Sequence, residues 1–261
     1  MRKQLRAKGV MLTLAVALAV GAPVSVLQNP VEASAKAVKK GLKKENGKFY
    51  FYEKGKKVKN KWVTVGKKKY YFKKDGSAAI GWNKIGKKAY YFDDKAVMVK
   101  NKTIHKVKLN AKGEAKLNDR AKVMIKAQSV ADKKTKATQS KAQKLKACYN
   151  YVAKCGYAPK FLSTSGSGWE VKYADDMLQN GKGNCYSFAT AFGMLARACG
   201  YDAKIVTGTM SLNGNKSQPH AWVEIGGKVY DPQQQNNLKI DLYGKAYSGI
   251  AQIKYAAQKR V

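Results

Sequence analysis

Cys185, His220 and Asp231 are the residues whose types and order could do covalent chemistry. Gly181, Gly183 and Asn184 precede the cysteine, and Ala189, Phe192, Leu195, Ala196 and Cys199 continue from it as an apolar stripe. That spacing predicts a helix whose first turn carries Cys185. The placement matters, because a free thiol has a pKa of about 8.5 and is mostly protonated at neutral pH. A helix N-terminus and a nearby imidazolium favour the anion, by about 1.4 kcal/mol for each pKa unit gained.

The chain has two histidines, His105 and His220, and only the second falls in the same stretch as Cys185. His220 opens a segment to Ile225 that can be a strand. Gly226-Gly227 then forms a two-residue hairpin turn, and Lys228–Asp231 make a return strand stopped by Pro232. With that turn Ile225 faces Lys228, so Trp222 lies opposite Asp231. His220, Trp222 and Asp231 then share one face of the hairpin. His220 is a diagonal neighbour of Asp231, roughly 7–8 Å away at the backbone and within side-chain reach. An imidazole so placed can take a thiol proton while the carboxylate fixes its tautomer and orientation. The step that brings Cys185 to this face belongs to the fold.

Several elements must position these groups. Asn118 or Asp119 caps a helix running to about Lys134, and a second helix is expected from about Thr138 to Cys155. Its apolar stripe is Leu145, Cys148, Tyr149, Val152 and Cys155. A Gly/Ser loop at 163–168 and the segment 169–180 follow, where Trp169 could form a wall of a cleft or serve packing. A strand is expected from about Ala203 to Met210. Residues 102–117 are polar and Lys-rich and read as a linker or a short hairpin.

Residues 47–101 repeat. Phe49-Tyr50-Phe51, Tyr70-Tyr71-Phe72 and Tyr90-Tyr91-Phe92 recur about every twenty residues, Trp62 and Trp82 are twenty apart, and Gly55 and Gly76 follow the first two triplets. The period reads as stacked β-hairpins, each covering the aromatic face its neighbour cannot bury alone. In the third copy Ala96 replaces the turn glycine and no Trp follows.

The N-terminus carries Arg2, Lys3, Arg6 and Lys8, then an apolar run from Val10 to Val20 and Ala33-Ser34-Ala35. This reads as a signal peptide over residues 1–35, shorter in its apolar part than the ~20 residues a membrane span requires. Secretion is therefore expected, with no stable membrane insertion after removal of the signal. Residues 36–100 hold 21 Lys and Arg against 5 Asp and Glu, whereas residues 147–261 hold 13 against 7. A lysine field on a secreted chain attracts anionic polymers through a long-range, salt-screened interaction. No nucleic-acid motif accompanies it.

Two resemblances sharpen these readings. Gly183-Asn184-Cys185 with Phe188-Ala189, then Leu195–Tyr201, His220–Ile225 and Tyr230-Asp231-Pro232, resemble the transglutaminase-like superfamily. The resemblance implies an α+β fold with a papain-like core, in which the helix bearing the cysteine packs on an antiparallel sheet that supplies His and Asp. It makes Cys185 the nucleophile, His220 the base and acid, and Asp231 the orienting carboxylate. A thioester on Cys185 would then pass its acyl group to an amine (cross-linking) or to water (proteolysis or deamidation). The aromatic repeats resemble the choline-binding-like cell wall repeat of secreted bacterial proteins, and Tyr50, Trp62, Tyr70, Tyr71, Trp82, Tyr90 and Tyr91 become candidates for wall contact. Where that family's aromatic cage places a Trp before the Tyr pair, this chain has Lys48, Lys69 and Ala89. Charge-driven association with anionic cell-wall polymers is expected in place of choline binding, since a quaternary ammonium needs several aromatic faces around it.

The expected organisation is a signal peptide (1–35), a small β-hairpin repeat module (47–101), a linker (102–117) and a transglutaminase-like domain (118–261). Cys148, Cys155 and Cys199 lie on apolar stripes and read as buried thiols. Cys148 and Cys155 are too far apart along one helix to bridge, so any bridge that spares Cys185 must involve Cys199. No metal-ligand spacing or clustered carboxylate set appears, so no cofactor is expected. Three functions stay open: a wall-associated acyltransferase with a protein or peptide substrate, a cysteine peptidase or amidase, and a catalytically silent wall-binding protein.

Overall fold

The computed structural model describes residues 38–159 and 162–261, so the expected signal peptide lies outside the described residues. The aromatic repeats begin at residue 41, earlier than the repeat boundary drawn from sequence. Strands β1 (Gly41–Glu45) and β2 (Lys48–Glu53) form a hairpin, with β3 (Lys56–Lys57) added to β2. Strands β4 (Lys61–Val65) and β5 (Lys68–Phe72) form the next hairpin, and β6 (Gly81–Ile85) and β7 (Lys88–Phe92) the third. A short fourth pair, β8 (Thr103–Ile104) and β9 (Val107–Lys108), falls within residues 102–117.

The tight turns precede the aromatic triplets. Asn46-Gly47 has positive φ at both positions, as a type I′ turn requires, while Gly66 and Gly86 supply positive φ at the first position of two-residue loops. Ala96 takes the same left-handed backbone (φ 62°) as Gly76 and is fully buried, so the third copy keeps its geometry without the glycine. Neighbouring hairpins cover one another as the period requires. The Trp62 ring meets Tyr71 of its own hairpin at 5.2 Å and Tyr90 of the next at 5.0 Å.

Four helices follow. Asn118 caps α1 (Asp119–Lys134) by accepting from the Ala121 N–H. Helix α2 (Lys141–Ala153) is shorter than the expected Thr138–Cys155, because Ser140 and Gln143 close a capping box that fixes the start. After β10 (Gly156–Tyr157), helix α3 (Trp169–Asn180) runs between left-handed Gly168 and Gly181, a helix that the sequence pattern alone does not announce. Strand β11 (Lys182–Gly183) pairs in parallel with β10 and leads into α4 (Cys185–Ala198), whose N-cap is Asn184. Helix α4 is buried along almost its whole length, with α1, α2 and α3 packed around it.

The remaining chain builds an antiparallel five-stranded sheet of order β15-β14-β13-β12-β16. Its strands are β12 (Lys204–Leu212), β13 (Gln218–Ile225), β14 (Lys228–Tyr230), β15 (Tyr243–Lys245) and β16 (Ile253–Arg260). Ile205, Ala221, Val223 and Tyr230 join the core around α4, while Val206, Trp222 and Val229 form a second core with Leu242, Ile250 and Ile253. Gly193 lets α4 approach the sheet, since a Cβ there would lie 2.6 Å from Ile205 Cγ1. The fold is thus mixed helix and strand, with small antiparallel hairpins ahead of a domain built on an antiparallel sheet.

The third and fourth hairpins share the core of this domain. Trp82, Ala89, Val107, Leu109 and Ala115 are buried with Ala121, Met124 and the rest of the helical core. The Trp82 Nε1–H donates to His105 Nδ1 at 3.1 Å. Residues 102–117 therefore pack as structure and do not hang as an extended spacer.

Candidate active site

Asn184 Oδ1 accepts from the Ser187 backbone N–H at 3.2 Å, which satisfies one of the orphan donors of α4 and starts the helix at Cys185. The Cys185 side chain is half-buried at the positive end of that helix.

His220 and Asp231 are joined by register. Val223 pairs with Tyr230 and Ile225 with Lys228 around the Gly226-Gly227 turn, whose residues both have positive φ. Strand β14 ends at Tyr230, and Asp231 caps a short helix, α5 (Pro232–Leu238), by accepting from the Gln234 N–H at 3.0 Å through Oδ1. Pro232 therefore opens a helix as well as ending the strand expected from sequence. The cap leaves Oδ2 free to turn toward β13, where it lies 2.7 Å from His220 Nε2. Both side chains are nearly inaccessible, His220 at 3% exposure and Asp231 at 1%. The imidazole also stacks on Trp222, 6.3 Å between centroids at 18°.

Burial opposes charge on His220, but the carboxylate of Asp231 and the side chain of Cys185 outweigh it. Together they push its pKa up to about 10. The imidazolium is thus the stable form at neutral pH, held between a carboxylate and a sulfur. Its Nε2 faces Asp231, so Nδ1 is the nitrogen left for Cys185. Sequence spacing could not assign the two ring nitrogens.

A further residue completes the arrangement and was not foreseen. The Tyr255 hydroxyl of β16 donates to Asp231 Oδ2 at 2.7 Å, so two donors converge on one carboxylate oxygen. Burial, then the Asp231 charge, pushes the Tyr255 phenol above its ordinary value and keeps it a donor. Its ring packs 4.8 Å from that of Trp222. Trp222 is anchored in turn, since its Nε1–H donates to the Tyr247 hydroxyl (2.9 Å), which donates to Glu224 (3.0 Å). The alternation Ile253, Tyr255, Ala257 was the available signal for this strand, but nothing in it names Asp231 as the partner. Trp169 is buried at 5% and meets Tyr173 and Tyr186 edge-on, which ties α3 to the residue after Cys185.

The aromatic residues of the repeats divide by burial. Tyr70 and Trp82 are 4% and 1% exposed, so neither ring has a face to offer a ligand; they hold the hairpins together and, for Trp82, hold them to the helical core. Tyr50, Trp62, Tyr71, Tyr90 and Tyr91 are half-buried. Two of these rings already face the chain's own cations, with Lys57 Nζ 3.5 Å from the Tyr50 centroid and Lys69 Nζ 4.7 Å from the Trp62 ring. Among the described residues no cluster of three or more His, Cys, Asp and Glu could hold a metal ion, and no helix is long and apolar enough to cross a membrane.

Comparisons with known proteins match two separate stretches of the chain. The transglutaminase-like superfamily model matches residues 128–235, and the cell wall binding repeat model matches residues 60–78. A choline-binding domain from Streptococcus pneumoniae is similar at 33% identity, over 30% of this chain and 96% of that one, with a TM-score of 0.29. Choline binding protein F from the same organism is similar at 26% identity, over 30% of this chain and 26% of its own, with a TM-score of 0.28. The pneumococcal cell wall endolysin from phage Cp-1, in complex with choline, is similar at 34% identity, over 23% and 18%, with a TM-score of 0.23. The chain thus spans nearly all of the first, about a quarter of the second and less than a fifth of the third. No curated protein matches. Cys185, His220 and Asp231 all fall inside the matched span, so the chain has a transglutaminase-like domain over residues 128–235, preceded by a match to the cell wall binding repeat at residues 60–78.

Proposed function

We propose that the chain is a secreted, cell-wall-associated, transglutaminase-like cysteine enzyme in which Cys185 is the nucleophile, His220 the base and acid, and Asp231 the orienting carboxylate. The observation that carries this reading is the buried 2.7 Å contact between His220 Nε2 and Asp231, with Cys185 as the other group acting on the same imidazole. A carboxylate buried at 1% exposure, with one oxygen held by the α5 cap and the other turned to the histidine, fits a catalytic role.

In this reading His220 Nδ1 already holds the proton given up by Cys185, and the sulfur adds to the carbonyl carbon of a Gln side chain or a peptide bond. In the same reading the Cys185 backbone N–H, at the start of α4, donates to the oxyanion. The C–N bond then breaks, His220 returns its proton to the departing nitrogen, and a thioester remains on Cys185. A primary amine or water attacks that thioester, gives its proton to His220, and releases the sulfur for the next cycle.

The repeats supply the address. The lysine field of residues 36–100, and the ammonium groups already seated on the rings of Tyr50 and Trp62, favour an anionic wall polymer over a quaternary ammonium as ligand. Incubation of the mature protein with isolated wall material, Gln-containing peptides and a labelled amine tests the reaction. Mass analysis separates new isopeptide links from shortened peptides. Identical products from the native protein and from Cys185→Ala would defeat the proposal.

A further inference from the structure

The thiols outside the site are not equivalent. Cys155 Sγ turns back to the Tyr151 carbonyl oxygen of its own helix, 3.6 Å away. Cys148, on α2, and Cys199, the C-cap of α4, instead point at each other with 3.7 Å between sulfurs. Both are free thiols, Cys148 fully buried and Cys199 half-buried.

We propose that Cys148 and Cys199 are an oxidation site of this protein, closing to an intramolecular disulfide that staples α2 to the C-terminal end of α4. The sulfurs must close from 3.7 Å to the roughly 2.05 Å of a disulfide bond. That is a side-chain adjustment, since the two helices already pack against each other.

The two thiols have different parts. The hydrogen bond from Cys148 lowers the Cys199 pKa against the cost of burial, helped by the Lys144 and Lys141 ammonium groups. That same hydrogen bond and burial raise Cys148. Cys199 is also the one that solvent reaches, so it is the attacking sulfur. Against a low-molecular-weight disulfide, the Cys199 thiolate forms a mixed disulfide and expels one thiolate. Cys148 then attacks the Cys199 sulfur, the internal S–S bond forms and the second thiolate leaves. Two protein thiols are oxidised, the small disulfide is reduced to two thiols, and their protons go to the departing thiolates.

Cys185 takes no part. It stands at the opposite end of α4, about 21 Å away by helix rise over fourteen residues, so the staple forms without consuming the proposed nucleophile.

The test is peptide mapping of the folded, full-length mature protein after exposure to oxidised glutathione, alkylation of remaining thiols and tryptic digestion. The cleavage sites give each cysteine its own peptide: 147–154 for Cys148, 155–160 for Cys155, 183–197 for Cys185 and 198–204 for Cys199. The expected product is a link between 147–154 and 198–204, cleaved by reductant, with neither Cys155 nor Cys185 linked to another cysteine of the chain. In Cys148→Ser, with no resolving thiol, Cys199 should retain glutathione. Four alkylated cysteines after oxidation, or a link through Cys155 or Cys185, would overturn the proposal. Because the readout is the linkage, it stands or falls apart from any acyl-transfer activity.

Discussion

Replacing Tyr255 by phenylalanine removes one oxygen and leaves a ring of the same shape packed 4.8 Å from Trp222. The lost bond is the 2.7 Å donation to Asp231 Oδ2, the oxygen that also faces His220 Nε2. A hydrogen bond to a charged acceptor contributes about 1.5–3 kcal/mol, and here no buried donor is left behind, so a loss of about 1.5 kcal/mol in stability is expected. The effect on the site is more diagnostic. With one donor gone, the carboxylate's charge is shared by fewer partners and bears more fully on the imidazolium. The His220 pKa, already raised to about 10, should rise further by about half a unit, or roughly 0.7 kcal/mol. NMR titration of the imidazole C–H signals reads this directly, because the chain has only two histidines and His105 is held down to about 4. A His220 pKa that stays put or falls in Tyr255→Phe, with the fold intact, would refute the idea that Tyr255 and His220 share the Asp231 charge.

Asp231→Ala should cost more than a surface carboxylate, about 3–5 kcal/mol in urea unfolding. It strands a buried imidazolium and removes the cap of α5 together. Burial, and then the nearby Arg197 charge, hold His105 neutral, and the Trp82 N–H donates to its Nδ1. Its folded pKa of about 4 lies below the unfolded 6.5, so the unfolded chain binds the proton first. Stability should therefore fall by about 3 kcal/mol as pH drops from 6.5 to 4, and His105→Gln should blunt that fall in melting curves across the range. Trp82→Ala should lower stability by about 3–5 kcal/mol, as expected for a ring 1% exposed. Trp62→Ala should cost less, and retention of the native protein on isolated wall should drop steeply between low and high salt if the lysine field is the attractant.

Local physics was written plainly in the sequence. Asn184 before an apolar stripe favours a helix start, Gly226-Gly227 turns a hairpin because both residues accept positive φ, and a twenty-residue aromatic period stacks hairpins that cannot bury themselves alone. Those features placed Cys185 on a helix start and His220 within reach of Asp231. What they could not give was anything set by contacts distant in the chain. Helix α3 is not legible because its bounds are left-handed glycines in a loop-like stretch, and nothing local shows that the third and fourth hairpins share one core with the helices, where Trp82, Val107 and Leu109 are buried. The face on which Cys185 acts on His220, the imidazole nitrogen given to Asp231, the second donor Tyr255 from a strand paired to β12, and the approach of Cys148 to Cys199 all follow from how α4 lies on the sheet and among the helices. Residue type and short-range spacing determined which groups could act, because caps, turns and periodicity are local free energies. Only the packed chain decided which atoms face one another, because that depends on how surfaces tens of residues apart are buried together.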